Sequence, residues 1–292
     1  MYLTPEIIQA GVEAYKDFLT VRPSSRYPDL SVIKYKKEVF FKNLWTPFLE
    51  ECRGLVVDKD FNIIQRPFQK IYNYGIEEFA PTIADDEIVT AVRKVNGFMV
   101  AVSEHKGRMI VSTTGSLDSD FVTIAEKWVN TLHFPEGWLQ DFTFLFECVD
   151  ESDPHIIDEE PGMYLLGVRD KQNGSLFQRG AFSMAMRGHY TPALYTCKFH
   201  EVKSSVKTTQ HEGYVVYTSD GQATKIKSPH YLTKKFLMRK NMDKILSLKR
   251  EDVQDEEFWP LIRHIQEVDH NDFSVFDETA RREYIEKWFE RN

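Results

Sequence analysis

Lys94-Val95-Asn96-Gly97 stands between two runs that read as strands. Upstream, Glu87-Ile88-Val89-Thr90-Ala91-Val92-Arg93 alternates apolar with polar or small residues. Downstream, Phe98-Met99-Val100-Ala101-Val102 is apolar throughout, and a His105-Lys106-Gly107 turn leads into Arg108-Met109-Ile110-Val111-Ser112. Asn-Gly between such runs predicts a tight hairpin, because both residues tolerate positive φ. The reading places one lysine at the mouth of a turn. Taken alone, the stretch favours an incidental surface lysine; a reactive one needs support from the rest of the chain.

Moving outward, Glu51-Cys52-Arg53-Gly54-Leu55-Val56-Val57-Asp58 puts an arginine and a glycine at the head of an apolar strand. A bidentate donor beside bare backbone suits a phosphate or a ribose, and a structural salt bridge would account for Arg53 equally well. The following strand segment ends in Arg66-Pro67-Phe68-Gln69-Lys70, where Lys70 reads by default as facing solvent. Thr143-Phe144-Leu145-Phe146-Glu147-Cys148-Val149 buries a carboxylate in an apolar run, which is costly unless Glu147 meets hydroxyls, a metal or a cation. Met163 to Arg169 and Ser175-Leu176-Phe177 form a second predicted hairpin through Asn173-Gly174. Last comes His211-Glu212-Gly213-Tyr214-Val215-Val216-Tyr217, a turn, and Ala223-Thr224-Lys225-Ile226-Lys227. With a strand period of two, Lys225 and Lys227 share a face and Ile226 points into a core. Two adjacent like charges repel, which a polyanion between them would relieve.

Thr4-Pro5 predicts an N-cap and first helical turn, with Ile8, Val12, Tyr15 and Leu19 on one face. The segments 31–37 and 38–44 read as two short strands or as a strand and a turn. The 292 residues carry a net charge of -8, with 42% hydrophobic and 28% charged residues, as in ordinary globular proteins. That mean argues mildly against a nucleic-acid protein but hides an asymmetry. From Lys198 to Arg250 there are 12 basic against 4 acidic residues, and from Glu251 to Asn292 there are 5 against 13. The pattern suggests a basic working surface and an acidic appendage whose charges lie on solvated helix faces. No apolar run approaches the roughly 18 residues of a membrane helix, and the first residues lack a leader pattern, so the expected location is the cytoplasm. Cys52, Cys148 and Cys197 are scattered, with no zinc spacing or disulfide framework.

Arg53-Gly54, Lys94-x-Asn96-Gly97, Phe144-Leu145-Phe146-Glu147, Glu212-Gly213-Tyr214-Val215 and Lys225-Ile226-Lys227 occur in the order of the motifs shared by ATP-dependent ligases and mRNA capping enzymes. Together they resemble phage RNA ligases of type 1, with some likeness to the ligase domain of fungal tRNA ligases. The Glu-Cys-Arg-Gly, Arg-Pro-Phe-Gln-Lys and Lys-Ile-Lys-Ser segments, with Tyr231 following, are features of that branch. The likeness covers roughly residues 30 to 235 and makes Lys94 the expected nucleophile.

The resemblance implies an α+β fold: a nucleotidyltransferase domain over 1–238, built of antiparallel sheets flanked by helices, and a helical C-terminal domain over 239–292. It implies that Lys94 attacks the α-phosphate of ATP to give a lysyl-adenylate, that the AMP passes to a 5′-phosphate end, and that a 3′-hydroxyl displaces it. Lys225 and Lys227 would supply the cationic field that activates Lys94, and Gly97 belongs to the nucleotide-binding motif. Glu147 would hold the ribose, Glu212 would position Mg²⁺ or Mn²⁺, and Arg53 and Lys70 would contact the nucleotide or the RNA end. Where the type 1 phage enzymes carry lysines, this chain has Val111-Ser112-Thr113-Thr114-Gly115-Ser116, so Ser112 and Thr114 would hydrogen-bond instead. The expected partners are RNA with 5′-phosphate and 3′-hydroxyl ends, broken tRNA among them, prepared by a separate kinase/phosphatase, since no P-loop motif is present. The expected state is a monomer, in the host cytoplasm if the chain is phage-encoded, with no membrane partner. The alternatives are a nucleotidyltransferase of the DNA ligase or capping type, which needs an OB-fold where this chain reads as helical, and a non-catalytic RNA-binding module.

Overall fold

Thr4 accepts a hydrogen bond from the amide of Ile7 at 3.3 Å and starts the helix Pro5–Ala14, with proline in its first turn as the sequence predicts. The helix stops at Ala14, so Leu19 lies in the following strand and not on the helical face. In this computed structural model the described residues are 2–153, 155–178, 180–239, 242–253 and 255–291. Strands β1 (Leu19–Pro23), β2 (Leu30–Tyr35), β3 (Arg53–Asp58) and β4 (Ile63–Gln65) form one antiparallel sheet in that order. The segment after β2 is a short helix, Lys37–Phe41, and not a second strand.

The chain continues through β5 (Tyr72–Asn73), β6 (Ile88–Arg93), β7 (Phe98–His105), β8 (Arg108–Thr113), β9 (Phe142–Val149), β10 (Gly162–Asp170) and β11 (Leu176–Phe177). It ends its β structure with β12 (Leu194–Lys198), β13 (Gly213–Tyr217) and β14 (Ala223–Lys227). A second sheet has the order β11-β10-β9-β7-β8 and a third the order β12-β6-β13-β14-β5. The hairpin through Asn173-Gly174 is present, with Val168 opposite Phe177 and Gly174 at φ +76. The hairpin through Asn96-Gly97 is not, because β6 and β7 belong to different sheets. Neither Asn96 nor Gly97 adopts positive φ. Gly97 is glycine for another reason: a Cβ there would lie 2.2 Å from the carbonyl oxygen of Cys148. Local turn chemistry was overridden by a close approach to a strand fifty residues away.

The architecture is α+β, with antiparallel sheets flanked by helices and the short β5 alone pairing parallel, to β14, among the described strands. Two compact units share the chain: Met1–Lys70, Gly97–Pro154 and Glu159–Pro192 form the first, and Ile71–Asn96, His155–Asp158 and Ala193–Asn292 the second. In the first, the helix Asp120–Val129 packs Val122, Ala125 and Val129 onto Val100, Val102, Phe144, Phe146 and Leu165 of the second sheet. In the second, the helix Phe199–Val206 covers Val89, Ala91 and Val216 of the third sheet.

Among the described residues after Lys227 there is no strand. The helices Pro229–Arg239, Trp259–Glu267, His270–Val275 and Glu278–Arg291, joined by 3₁₀ turns, enclose Phe236, Phe258, Leu261, Ile265, Phe273 and Ile285 at 0% exposure. At about 25 cal/mol per Å² of apolar surface, a cluster of this size is a folding core and not a loose appendage. No helix among the described residues is long and apolar enough to cross a membrane.

Candidate active site

In the second unit Lys94 follows β6 and Glu212 precedes β13, and these strands are antiparallel neighbours with Tyr214 opposite Arg93. The Lys94 amide donates to the Gly213 carbonyl at 2.8 Å, which anchors the residue beyond the strand end. Its Nζ then reaches Glu212 Oε2 at 3.1 Å. Lys227 closes β14, opposite Gly213, and its Nζ lies 4.0 Å from the other oxygen, Oε1, of the same carboxylate. Three adjacent strands therefore bring Lys94, Glu212 and Lys227 together. Gly213, at φ +134, permits this, since a Cβ there would lie 2.1 Å from the carbonyl oxygen of Ile226.

Asn96 is a site residue that the turn reading missed. Its Nδ2 donates to Glu212 Oε2 at 2.8 Å, and its Oδ1 accepts from the amides of Ile156 and Ile157 at 3.0 and 3.1 Å. Burial alone would raise the Glu212 carboxyl. The charges of Lys94 and Lys227 and the hydrogen bonds from Lys94 and Asn96 outweigh it and hold the group below the usual carboxylate range.

Lys225 and Lys227 share a face as predicted, and Ile226 packs toward the core formed with the helix Phe199–Val206. Their relief from mutual repulsion comes from the chain itself. Lys225 Nζ is 3.6 Å from Glu256, and Lys227 Nζ donates to Glu257 at 2.5 Å. Lys235 joins them, donating to Glu257 at 2.8 Å and pairing with Asp255 at 2.6 Å. Lys227 and Lys235 also lie over the Tyr231 ring, at 5.4 and 5.7 Å. Burial would lower Lys227, but Glu257 and Glu212 raise it well above the ordinary lysine value. Glu257 moves the opposite way: burial would raise it, and Lys227 and Lys235 hold it far below the carboxylate range. These tail carboxylates were expected on solvated faces. The pairs Arg263–Glu267 and Arg282–Glu278 do lie there, whereas Glu256 and Glu257 are buried.

In the first unit Glu147 stands on β9 beside β7, and its Oε1 accepts from the Gly97 amide at 3.1 Å. Its nearly complete burial, at 8% exposure, is thus matched by a backbone donor. Lys70 does not face solvent. It lies in an irregular segment, buried, with its Nζ 5.1 and 5.2 Å from the rings of Phe40 and Trp45.

Arg53, at the head of β3, has no carboxylate partner among the described ion pairs; the salt bridge of this region belongs to Arg66. Fully buried Arg66 grips Glu51 through Nε and Nη2 at 3.2 and 2.8 Å, and Arg169 shares Glu51 Oε1 at 2.7 Å. Ser112 hydrogen-bonds, as expected, but inside the core, donating to Gln65 at 2.5 Å. Thr114 packs its backbone against Gly54, where a Cβ would lie 3.0 Å from it.

RNA ligase 1 of bacteriophage TS2126 is 28% identical over 207 residues, covering 62% of this chain and 51% of the relative. This chain thus matches about half the length of that curated relative. Two forms of an archaeal ATP-dependent RNA ligase share the fold, with TM-scores of 0.64 and 0.61 at 16% identity. A putative ATP-dependent DNA ligase from Aquifex aeolicus gives 0.57 at 11% identity; each of the three alignments covers 98% of this chain and 78% of the other. The order of the motifs, the grouping of Lys94, Glu212 and Lys227 on neighbouring strands, and the match of residues 51–237 to the family model for RNA ligase of the phage T4 type 1 class lead to one assignment: the chain belongs to that RNA ligase family.

Proposed function

We propose that the protein is an ATP-dependent RNA ligase that joins 5′-phosphate and 3′-hydroxyl RNA ends. The observation that carries the reading is Lys94 Nζ placed on Glu212, with Lys227 on the other oxygen of that carboxylate. Lys94 is the nucleophile. Its amine gives up a proton and attacks the α-phosphorus of ATP; the Nζ–P bond forms as the P–O bond to the β-phosphate breaks, and pyrophosphate leaves with the electron pair. A cationic neighbour such as Lys227 favours the neutral amine and offsets charge on the α-phosphate in the transition state.

The adenylyl group then moves to the RNA 5′-phosphate: a phosphoanhydride P–O bond forms, the Nζ–P bond breaks, and Lys94 regains its proton. Attack by the 3′-hydroxyl on the activated 5′-phosphate forms the phosphodiester and releases AMP. Glu147, held by Gly97, is assigned to the ribose hydroxyls. Lys225 is assigned to phosphate, and Arg53 and Lys70 to the nucleotide or the RNA end.

For a divalent cation the described residues offer Glu212 and no group of three potential protein ligands. That fits Mg²⁺ or Mn²⁺ held mainly by phosphate oxygens and water. When bound, such an ion neutralises phosphate charge. Ends with this chemistry imply a separate kinase/phosphatase as supplier, and broken tRNA is a natural source of them.

Incubation with α-labelled ATP or GTP, followed by a denaturing gel, tests the proposal. A covalent AMP adduct that disappears in Lys94→Ala is the expected result. A GMP adduct, or an AMP adduct that survives the substitution, overturns it.

A further inference from the structure

On the first sheet, Lys34 of β2 is in register with Arg53 of β3 on one side and with Thr20 of β1 on the other, and Arg22 of β1 is in register with Val32. The strand period of two therefore puts Arg22, Lys34 and Arg53 on one face across three adjacent strands. That face packs Val32 and Val56 onto Leu117, and at its end Arg22 and Lys34 reach the loop after β8, with Arg53 opposite Lys34 on the neighbouring strand. Arg22 Nη1 donates to the Gly115 carbonyl at 3.4 Å, and Lys34 Nζ lies 3.3 Å from where a Cβ of Gly115 would stand. Gly54, beside Arg53, presses on the backbone of Thr114 in the same loop.

None of the three has a carboxylate partner among the described ion pairs, in a chain with 45 acidic residues. Elsewhere in the same unit Arg66 and Arg169 share Glu51, Arg26 meets Glu126 and Lys106 meets Asp29. Gathering like charges without a counter-charge costs free energy that an anion recovers on binding. The Lys34 ammonium registers that cost: burial, Arg53, Arg22 and Lys37 all push it below the ordinary lysine value.

We propose that Arg22, Lys34 and Arg53 form a phosphate-binding site beside the 114–116 loop. The site deepens the ligase reading and rests on it for the owner of the phosphate, which is either the RNA strand or the polyphosphate tail of the nucleotide. Two arginine forks and one point charge suit a dianionic or condensed phosphate better than a carboxylate.

Inorganic tripolyphosphate is the direct probe. Calorimetric titration of wild type, of Arg22→Gln/Lys34→Gln and of a control with the same charge change, Lys59→Gln/Lys207→Gln, is expected to show affinity falling about tenfold or more in the first variant alone. Unchanged binding, or an equal loss in the control, overturns the site whether or not the protein ligates RNA.

The owner is then read from two reactions. A rise in the ATP concentration needed for adenylate formation assigns the site to the nucleotide. Slower sealing of pre-adenylated RNA, with ATP use unchanged, assigns it to RNA. Loss of neither, in a variant with native melting behaviour, overturns a role in the reaction. A wild type that binds tripolyphosphate at this site but forms no adenylate would leave the site standing and remove the ligase reading.

Discussion

Lys225, Lys227 and Lys235 in the second unit and Arg22, Lys34 and Arg53 in the first are groups of equal formal charge in opposite states. The first group, buried at Lys235 and half-buried at Lys225 and Lys227, is neutralised by Asp255, Glu256, Glu257 and Glu212. The second lies around the 114–116 loop, with Arg22 and Lys34 exposed and no carboxylate partner among the described ion pairs. A buried cation must be paired for the chain to fold, whereas a cation at the surface can be left for a ligand. The neutralised group therefore belongs to the folding energy as well as to the chemistry, and its loss should cost stability and activity together. The open group should cost only binding.

The largest break in this symmetry is expected from Lys227→Ala. It removes the cation shared by Glu212 and Glu257, leaves two buried carboxylates short of a partner, and should lower stability by about 3–5 kcal/mol while abolishing adenylate formation. Chemical denaturation and the AMP-adduct gel read the two effects. Wild-type stability would show that the pairing is not worth its burial. Removal of residues after 250 should be as severe, because Glu256 and Glu257 leave with the residues that cover Phe236. A truncated protein that melts like wild type would refute the account of the tail as a core.

How far this contrast could be read from the sequence depends on the range of the interactions involved. The shared face of Lys225 and Lys227 was legible, because a strand period of two is local. Glu147 was legible as well, since an acid within an apolar run advertises a partner. The Asn96-Gly97 hairpin misled because the pair carries the local signature of a turn, while its actual constraints come from Glu212 and Cys148, respectively. The same holds for Glu51, which grips Arg66 and Arg169 across 15 and 118 residues. It also holds for Glu257, thirty residues from the lysine it neutralises. Charge counting found the basic stretch and the acidic tail but not that they meet, since composition carries no pairing information.

A milder test keeps the shape of the neutralised group. Glu257→Gln leaves Lys235 with Asp255 and Lys227 with Glu212, so the expected loss is about 2 kcal/mol, the scale of one hydrogen bond to a charged group. The substitution also carries a pH signature. The folded-state carboxyl of Glu257 is depressed, so its contribution is present above the unfolded value of 4.5 and fades as pH falls through the lower, folded one. Stability measured from pH 7 down to pH 3 should fall less steeply in Glu257→Gln than in wild type. Parallel curves would mean that the pair is not what acid disrupts.

The smallest effect is expected from the open group, and its sign is the informative part. Lys34 is depressed in the folded protein, so the unfolded chain binds its proton more tightly and wild-type stability should rise as pH climbs through the folded value toward 10.5. Lys227 is raised, so its contribution holds below 10.5 and is lost as pH rises above it, toward the higher folded value. The two groups thus titrate in opposite directions at alkaline pH. Lys34→Met removes a repelling charge, and near pH 7 it should leave stability within about 0.5 kcal/mol of wild type, on the stabilising side. As pH climbs toward 10.5 it should erase the small rise shown by wild type. Melting curves of both proteins between pH 7 and pH 10.5 provide the measurement. A Lys34→Met protein clearly less stable than wild type at pH 7 would mean that Lys34 is held by a stabilising contact, and the contrast between a neutralised and an open cationic group would fail.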